Sequence, residues 1–101
     1  MAISAKASAD GTELCIGIDG RFDFSSHQEF RKAYEEVSKK PDQYIIDMNS
    51  TTYLDSSALG MLLLLREHAG GDNAKIEVVG CKPEIKKILA IANFQKLFDI
   101  K

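Results

Sequence analysis

The stretch YIIDMNSTTYLDSSALGMLLLL, from Tyr44 to Leu65, sets the fold of this 101-residue chain. Its first five residues, Tyr44 to Met48, form a nearly continuous apolar run, which predicts a central strand buried on both faces. A polar loop over residues 49–52 follows. Beyond it, residues 58–68 contain no helix stop until the pair Gly70-Gly71, so they predict a helix.

The residues before this stretch predict a hairpin and a further helix. Strands are expected near residues 2–8 and 12–19, because apolar side chains alternate on either side of an Asp-Gly pair. A helix is expected over residues 26–39, where Ser26 and Glu29 match a capping box. Its apolar face consists of Phe30, Ala33, Tyr34 and Val37.

The residues after this stretch continue the alternation of strands and helices. A short strand is predicted over residues 76–79, and a helix is predicted to begin at Lys82-Pro83-Glu84. Residues 94–100 are expected to form a short closing element, either helix or strand. This order predicts an α/β fold: one domain over residues 1–101 with a mixed, mostly parallel central β-sheet, an N-terminal hairpin and helices packed on it.

The composition fits a globular chain and excludes several classes of protein. Apolar residues make up 45%, and 13 basic residues against 15 acidic ones give a net charge of −2, so we expect no direct nucleic-acid binding. The longest stretch without a polar side chain, Ala58 to Leu65, is far shorter than the roughly 20 residues of a bilayer span. We therefore expect no membrane insertion and a cytoplasmic location. Cys15 and Cys81 are interpreted as reduced thiols, with a disulfide or redox role as the alternative.

The residues that carry enzyme chemistry are sparse. His68 would lie roughly 18 Å along a helix from Ser56, too far to serve as its base, and His27 is expected to be solvated. Asp47 ends a strand as a receiver phosphoacceptor does, but the acidic pair that would hold Mg²⁺ is missing after the first strand. Metal-ligand spacings and phosphate-binding loops are also missing. We expect no catalytic residue, no metal, no cofactor and no enzymatic activity.

The segment from Tyr53 to Leu65 is the most informative for function. Asp55, Ser56 and Ser57 stand where a loop enters a helix, and each is a good N-cap residue. The helix beyond them is apolar on almost every side, whereas a surface helix should have a polar face. We expect Met61 and Leu64 on its flank or outside. The inward set is expected to comprise Ala58, Leu59, Leu62 and Leu65. Two interpretations remain open, namely tight burial between helices and a surface for docking a partner.

Two segments together resemble the STAS domain of bacterial anti-anti-sigma factors. They are IDGRFDFSS, from Ile18 to Ser26, and the stretch from Tyr44 to Leu65, and the likeness extends over almost the whole chain. The most specific part is the DSSxLG-type motif from Asp55 to Gly60, in which Ala58 stands where the motif often has Gly.

The resemblance implies a partner switch. The unphosphorylated chain would bind an anti-sigma factor or a serine switch kinase, phosphorylation at Ser56 would release it, and a PP2C-type phosphatase would reverse the modification. Ser57 is a possible secondary acceptor. The partner-binding residues are then expected to be Asp23, Asp55, Ser56, Ser57, Met61 and Leu64. The alternative is a non-switching STAS subunit of a lipid-transporting ABC complex.

Overall fold

The computed structural model describes residues 3–101, which contain seven strands and three α-helices. The strands are β1 (Ile3–Ala7), β2 (Glu13–Ile18), β3 (Gly20–Phe22), β4 (Gln43–Asp47), β5 (Thr51–Leu54), β6 (Ile76–Val79) and β7 (Asp99–Ile100). The helices are α1 (His27–Glu35), α2 (Ser56–Ala69) and α3 (Pro83–Ile91), with short 3-10 turns at Phe24–Ser26, Gly71–Asn73 and Phe94–Lys96.

Five strands form the main sheet in the order β1-β2-β4-β6-β7. The first pair is antiparallel and forms the expected hairpin, whereas β2, β4, β6 and β7 run parallel. This arrangement confirms the mixed α/β class. Of the first predicted strand, residues 3–7 are a strand and Ala2 lies outside the described residues.

The helices lie on one face of the main sheet. Because crossovers between parallel strands are right-handed, a strand order that advances in one direction brings each crossover back to the same side. The expectation that β4 is buried on both faces is therefore wrong: Tyr44 and Ile46 are buried under the helices, but Ile45 is only half-buried on the open face. The covered face of the sheet consists of Ile3, Leu14, Ile16, Ile18, Tyr44, Ile46, Ile76 and Val78.

The first helix is shorter than predicted, and its start is built differently. The chain enters α1 through the 3-10 turn, which Asp23 caps by accepting from the Ser25 N–H at 3.0 Å. The Ser26 hydroxyl donates to the Arg21 carbonyl at 3.2 Å instead of capping α1, so the predicted capping box is not formed. After Glu35 the chain turns back toward β2, where the Asp42 N–H donates to the Thr12 carbonyl at 2.8 Å.

The structure also changes the prediction for residues 49–52 and defines the type of the closing element. The expected polar loop over residues 49–52 is only partly a loop, because Thr51 and Thr52 begin β5, which pairs with β3 in a second, two-stranded parallel sheet. The Thr51 hydroxyl is buried and donates to the Ile18 carbonyl at 2.8 Å, which ties the small sheet to the large one. The closing element proves to be a 3-10 turn followed by β7, parallel to β6.

Both thiols are free, as the interpretation of reduced cysteines requires. Burial raises the pKa of Cys15 and of Cys81, which keeps both in the unreactive thiol form. Among the helices of residues 3–101, none has the length and apolar character needed to cross a membrane.

Candidate functional site

The two strands of the small sheet end side by side and carry one aspartate each. β3 and β5 are parallel, and Phe22 pairs with Leu54 at their C-terminal ends. The next residues, Asp23 and Asp55, therefore follow at the same edge, on neighbouring strands that are about 4.8 Å apart. Both aspartates were predicted to lie at the partner surface, and the pairing of β3 with β5 brings them to the same edge.

Asp55 is the N-cap of α2. Its backbone is extended, with φ −127° and ψ −174°, and its Oδ1 accepts from the Ala58 N–H at 3.1 Å. This bond satisfies one of the four backbone donors left free at a helix start. The expectation that a residue of this motif caps the helix is therefore confirmed for Asp55.

The cap can be tested by comparing two substitutions. Asp55→Ala removes the acceptor and should lower the free energy of unfolding by about 0.5–2 kcal/mol, whereas Asp55→Asn keeps an acceptor and should lose much less. Urea unfolding followed by circular dichroism measures both changes. Equal stability of Asp55→Ala and the wild type would contradict this role.

Asp23 repeats the same arrangement on the neighbouring strand. It accepts from the N–H and the hydroxyl of Ser25, and the Arg21 Nε donates to its Oδ2 at 3.2 Å. The Ser25 hydroxyl is the main reason that the pKa of Asp23 lies below its usual value, and Arg21 lowers it further. Asp23 thus stays ionised at neutral pH at the edge where Asp55 also lies.

Arg21 and Tyr53 form a cross-strand pair on the outer side of the small sheet. The guanidinium carbon lies 3.9 Å from the centroid of the Tyr53 ring, a cation–π contact. A register shift between Gly20 and Arg21 leaves Thr52 unpaired, so that Arg21 pairs with Tyr53. Because a shift of one residue turns a side chain to the other face of a strand, this irregularity creates the contact.

Ser56 is the exposed first residue of α2, and Ser57 beside it is half-buried. At this position the hydroxyl of Ser56 is accessible to an enzyme. The positive end of the helix dipole favours a negative group there.

The outer face of α2 forms an exposed stripe that starts at Ser56. We call it the α2 stripe; it consists of Ser56, Gly60, Leu63, Leu64 and Glu67. Leu64 is 54% exposed, and a Cβ added to Gly60 would meet nothing within 4 Å. A partner can therefore approach the helix closely at Gly60 and contact two leucines one turn further on.

Met61 does not belong to this stripe, so its expected place on the flank or outside is wrong. Its side chain is only 4% exposed and packs in the core with the buried residues Ala58, Leu62 and Leu65. Met61 lies one position after Gly60 in a helix with about 3.6 residues per turn, which rotates it by roughly 100° away from the stripe.

Phe24, which no sequence prediction included, lies directly after Asp23. This side chain is 73% exposed, and its ring stacks on His27 with the centroids 5.8 Å apart. The signal was its position directly after Asp23, in the segment that precedes α1. An exposed aromatic ring of this kind is a common anchor in protein interfaces.

Within residues 3–101, three or more His, Cys, Asp or Glu side chains are nowhere grouped so as to hold a metal ion. A cavity of about 540 Å³ lies between β1 and α1, and neither aspartate nor Ser56 lines it. His68 is exposed, with its ring 4.9 Å from that of Tyr34.

Comparison with known proteins places this geometry in a family. The family model described as "Mlab, STAS domain" matches residues 5–99. A STAS-domain containing protein of Pseudomonas aeruginosa (strain UCBPP-PA14) is 63% identical over 100 residues, which cover 99% of each chain.

Solved structures share the fold at low sequence identity. A putative anti-sigma factor antagonist from Thermotoga maritima has a TM-score of 0.81 at 13% identity, over 97% of this chain and 84% of that one. The unphosphorylated anti-sigma factor antagonist SpoIIAA has a TM-score of 0.76 at 15% identity, over 99% and 87%. A sulfate transporter family protein from Wolinella succinogenes has a TM-score of 0.75 at 16% identity, over 94% and 81%.

Proposed function

This chain belongs to the family of STAS domains, and from that premise we propose that it is an anti-sigma factor antagonist acting by partner switching. Its unphosphorylated form binds an anti-sigma factor or a serine switch kinase in the cytoplasm, and phosphate on Ser56 releases this partner. The domain is a substrate of enzymes and has no catalytic activity of its own. The observation that carries the proposal is an exposed Ser56 at the head of the α2 stripe, directly after Asp55 and at the sheet edge where β3 also ends in Asp23.

The modification cycle needs two external enzymes. A kinase transfers the γ-phosphoryl group of ATP to the Ser56 oxygen: the new P–O bond forms, the bond to ADP breaks, and a base of the kinase takes the hydroxyl proton. A PP2C-type phosphatase transfers the phosphoryl group to water, which restores the hydroxyl and releases inorganic phosphate. The exposure of Ser56 supports access by both enzymes.

The acceptor can be identified by incubating the purified chain with ATP and a lysate of its native host, followed by mass spectrometry. We expect one phosphate on the peptide that contains Ser56, none on the Ser56→Ala variant, and unchanged labelling of Ser57→Ala. Ser57→Ala is the matched control because it changes the adjacent hydroxyl. Phosphate on Ser57 alone would refute the assignment of Ser56.

The structural likeness to a sulfate transporter family protein supports a second candidate function, that of a subunit of a transporter complex. The fold recurs in the sulfate transporter family protein of W. succinogenes, so it also occurs outside anti-sigma factor antagonists. A non-switching subunit of a lipid-transporting ABC complex would use the exposed leucines of the α2 stripe as a permanent interface. Co-purification with a transporter ATPase, together with no phosphate on Ser56 under any condition, would select this alternative.

A further inference from the structure

We propose that the Arg21 guanidinium binds the phosphate group when Ser56 is phosphorylated. In doing so, Arg21 gives up its ion pair with Asp23. The proposal deepens the switch above and rests on phosphorylation at Ser56. It assigns to this chain its own phosphoserine receptor, in addition to any group that a partner supplies.

The register of the small sheet brings the two residues to the same edge. Arg21 is paired with Tyr53, and both strands then run in the same direction, through the pair Phe22 and Leu54, to the aspartates. Ser56 is the next residue beyond Asp55. The guanidinium of Arg21 already extends toward this edge, because its Nε reaches the Asp23 carboxylate at 3.2 Å.

Arg21 is held weakly enough to change partners. Its side chain is 64% exposed in the ion pair with Asp23, and exposed ion pairs contribute little to stability. A phosphate offers about twice the charge of a carboxylate and three acceptor oxygens, which the planar guanidinium can bind in a bidentate manner. The phosphate is therefore a stronger acceptor for Arg21 than the Asp23 carboxylate.

The charge next to Ser56 makes such a receptor useful. Asp55 directly precedes Ser56 in the chain and Asp23 follows the neighbouring strand at the same edge, so both carboxylates repel the new phosphate. Arg21 is the cation that the same two strands carry to this edge. Lys82 is committed elsewhere: its Nζ donates to the carbonyls of Asn49 and Thr51 at 2.6 and 3.4 Å, at the opposite end of β5.

The exchange would also alter the surface around the phosphate. Arg21 covers the ring of Tyr53, which is partly exposed even so. When the guanidinium moves to Ser56, Asp23 keeps its bonds to Ser25 but loses its cation, and the Tyr53 ring gains exposure. Phosphorylation would thus change the partner surface on both β3 and β5.

The second pKa of the phosphoserine tests the contact directly. Phosphoserine is inserted at position 56 during translation, and the full chain is titrated by phosphorus NMR. Because a nearby cation favours the dianion, we expect this pKa to be lower in the wild type than in Arg21→Gln by about 0.5–1 unit. The control is Arg31→Gln, which removes an exposed arginine from an ion pair on α1 and should titrate like the wild type.

Each outcome bears on the proposal. Equal pKa values in the wild type and Arg21→Gln would overturn it, as would an equal rise in Arg31→Gln. Binding of the partner is measured on the same samples, so the two proposals can fail separately. If phosphate on Ser56 abolishes partner binding but the wild type and Arg21→Gln have the same phosphoserine pKa, the switch is supported and the role of Arg21 is refuted. If the pKa values differ but the phosphate does not affect partner binding, Arg21 does bind the phosphate and the switch is refuted.

Discussion

Phosphate on Ser56 is expected to weaken the complex with the partner by roughly 30- to 3,000-fold while leaving the domain folded. Even with Arg21 beside it, the phosphate keeps a net negative charge. A partner that packs over the α2 stripe would bury this charge without supplying a cation of its own, which costs about 2–5 kcal/mol. Each 1.4 kcal/mol corresponds to about a factor of ten in affinity.

Within the domain the opposing effects of the phosphate nearly cancel. The phosphate gains about 0.3–1 kcal/mol from the N-terminal end of α2 and little more from the exposed Arg21, which gives up its ion pair with Asp23. Repulsion by Asp23 and Asp55 offsets a comparable amount. For a domain of this size, 1 kcal/mol shifts the melting temperature by about 4–8 °C. We therefore expect a shift of no more than about 5 °C, and scanning calorimetry of the chain with phosphoserine at position 56 measures it.

The same protein provides the binding measurement and its control. The partner recovered with the unphosphorylated chain is titrated with phosphoserine placed at Ser56 or at Ser38, which is exposed between α1 and β4 at the far end of the sheet. Phosphate on Ser38 adds the same charge away from the α2 stripe and should leave the affinity nearly unchanged. If both samples bind as tightly as the unmodified chain, the switch mechanism is wrong.

Met61→Ala and Leu64→Ala are expected to have opposite effects. Met61 is buried, so its truncation leaves a cavity and should lower the free energy of unfolding by about 2–5 kcal/mol. Leu64 is more than half exposed, so Leu64→Ala should change stability by no more than about 0.5 kcal/mol.

Partner binding should show the reverse ranking, measured at a temperature where both variants are folded. Leu64→Ala should weaken the complex by about fivefold or more, the range of interface residues that contribute over 1 kcal/mol. Met61→Ala should keep most of the affinity. Urea unfolding and isothermal titration separate the two effects. A Met61→Ala variant that is as stable as the wild type but binds the partner weakly would contradict the placement of Met61 in the core.

The apolar patterns of the sequence predicted most of the framework. Alternation located β2, and continuous apolar runs located β4 and α2, because each of these elements buries at least one whole face. The serine motif at the start of α2 predicted the candidate site from the sequence alone. Asp23 was also placed there, through the family resemblance.

The errors arose where distant residues decide the local structure. β5 is stabilised by pairing with β3, a short strand far away in the sequence, and its Thr-rich residues have no apolar pattern of their own. The orientation of Met61 could not be read from α2, since a helix that is apolar on almost every side has no face that distinguishes core from surface. The contact of Arg21 with Tyr53 depends on one unpaired residue, Thr52, which no sequence pattern marks.

The parallel pairing of β3 with β5 also affects when the site can be recognised. Parallel strands cannot pair through a tight turn, and here α1 and β4 lie between them in the chain. In an unfolded or half-folded chain the two aspartates are far apart, so their shared edge exists only after the long-range contacts have formed. A kinase that contacts both carboxylates would therefore discriminate against immature chains, and the modification itself would report that folding is complete.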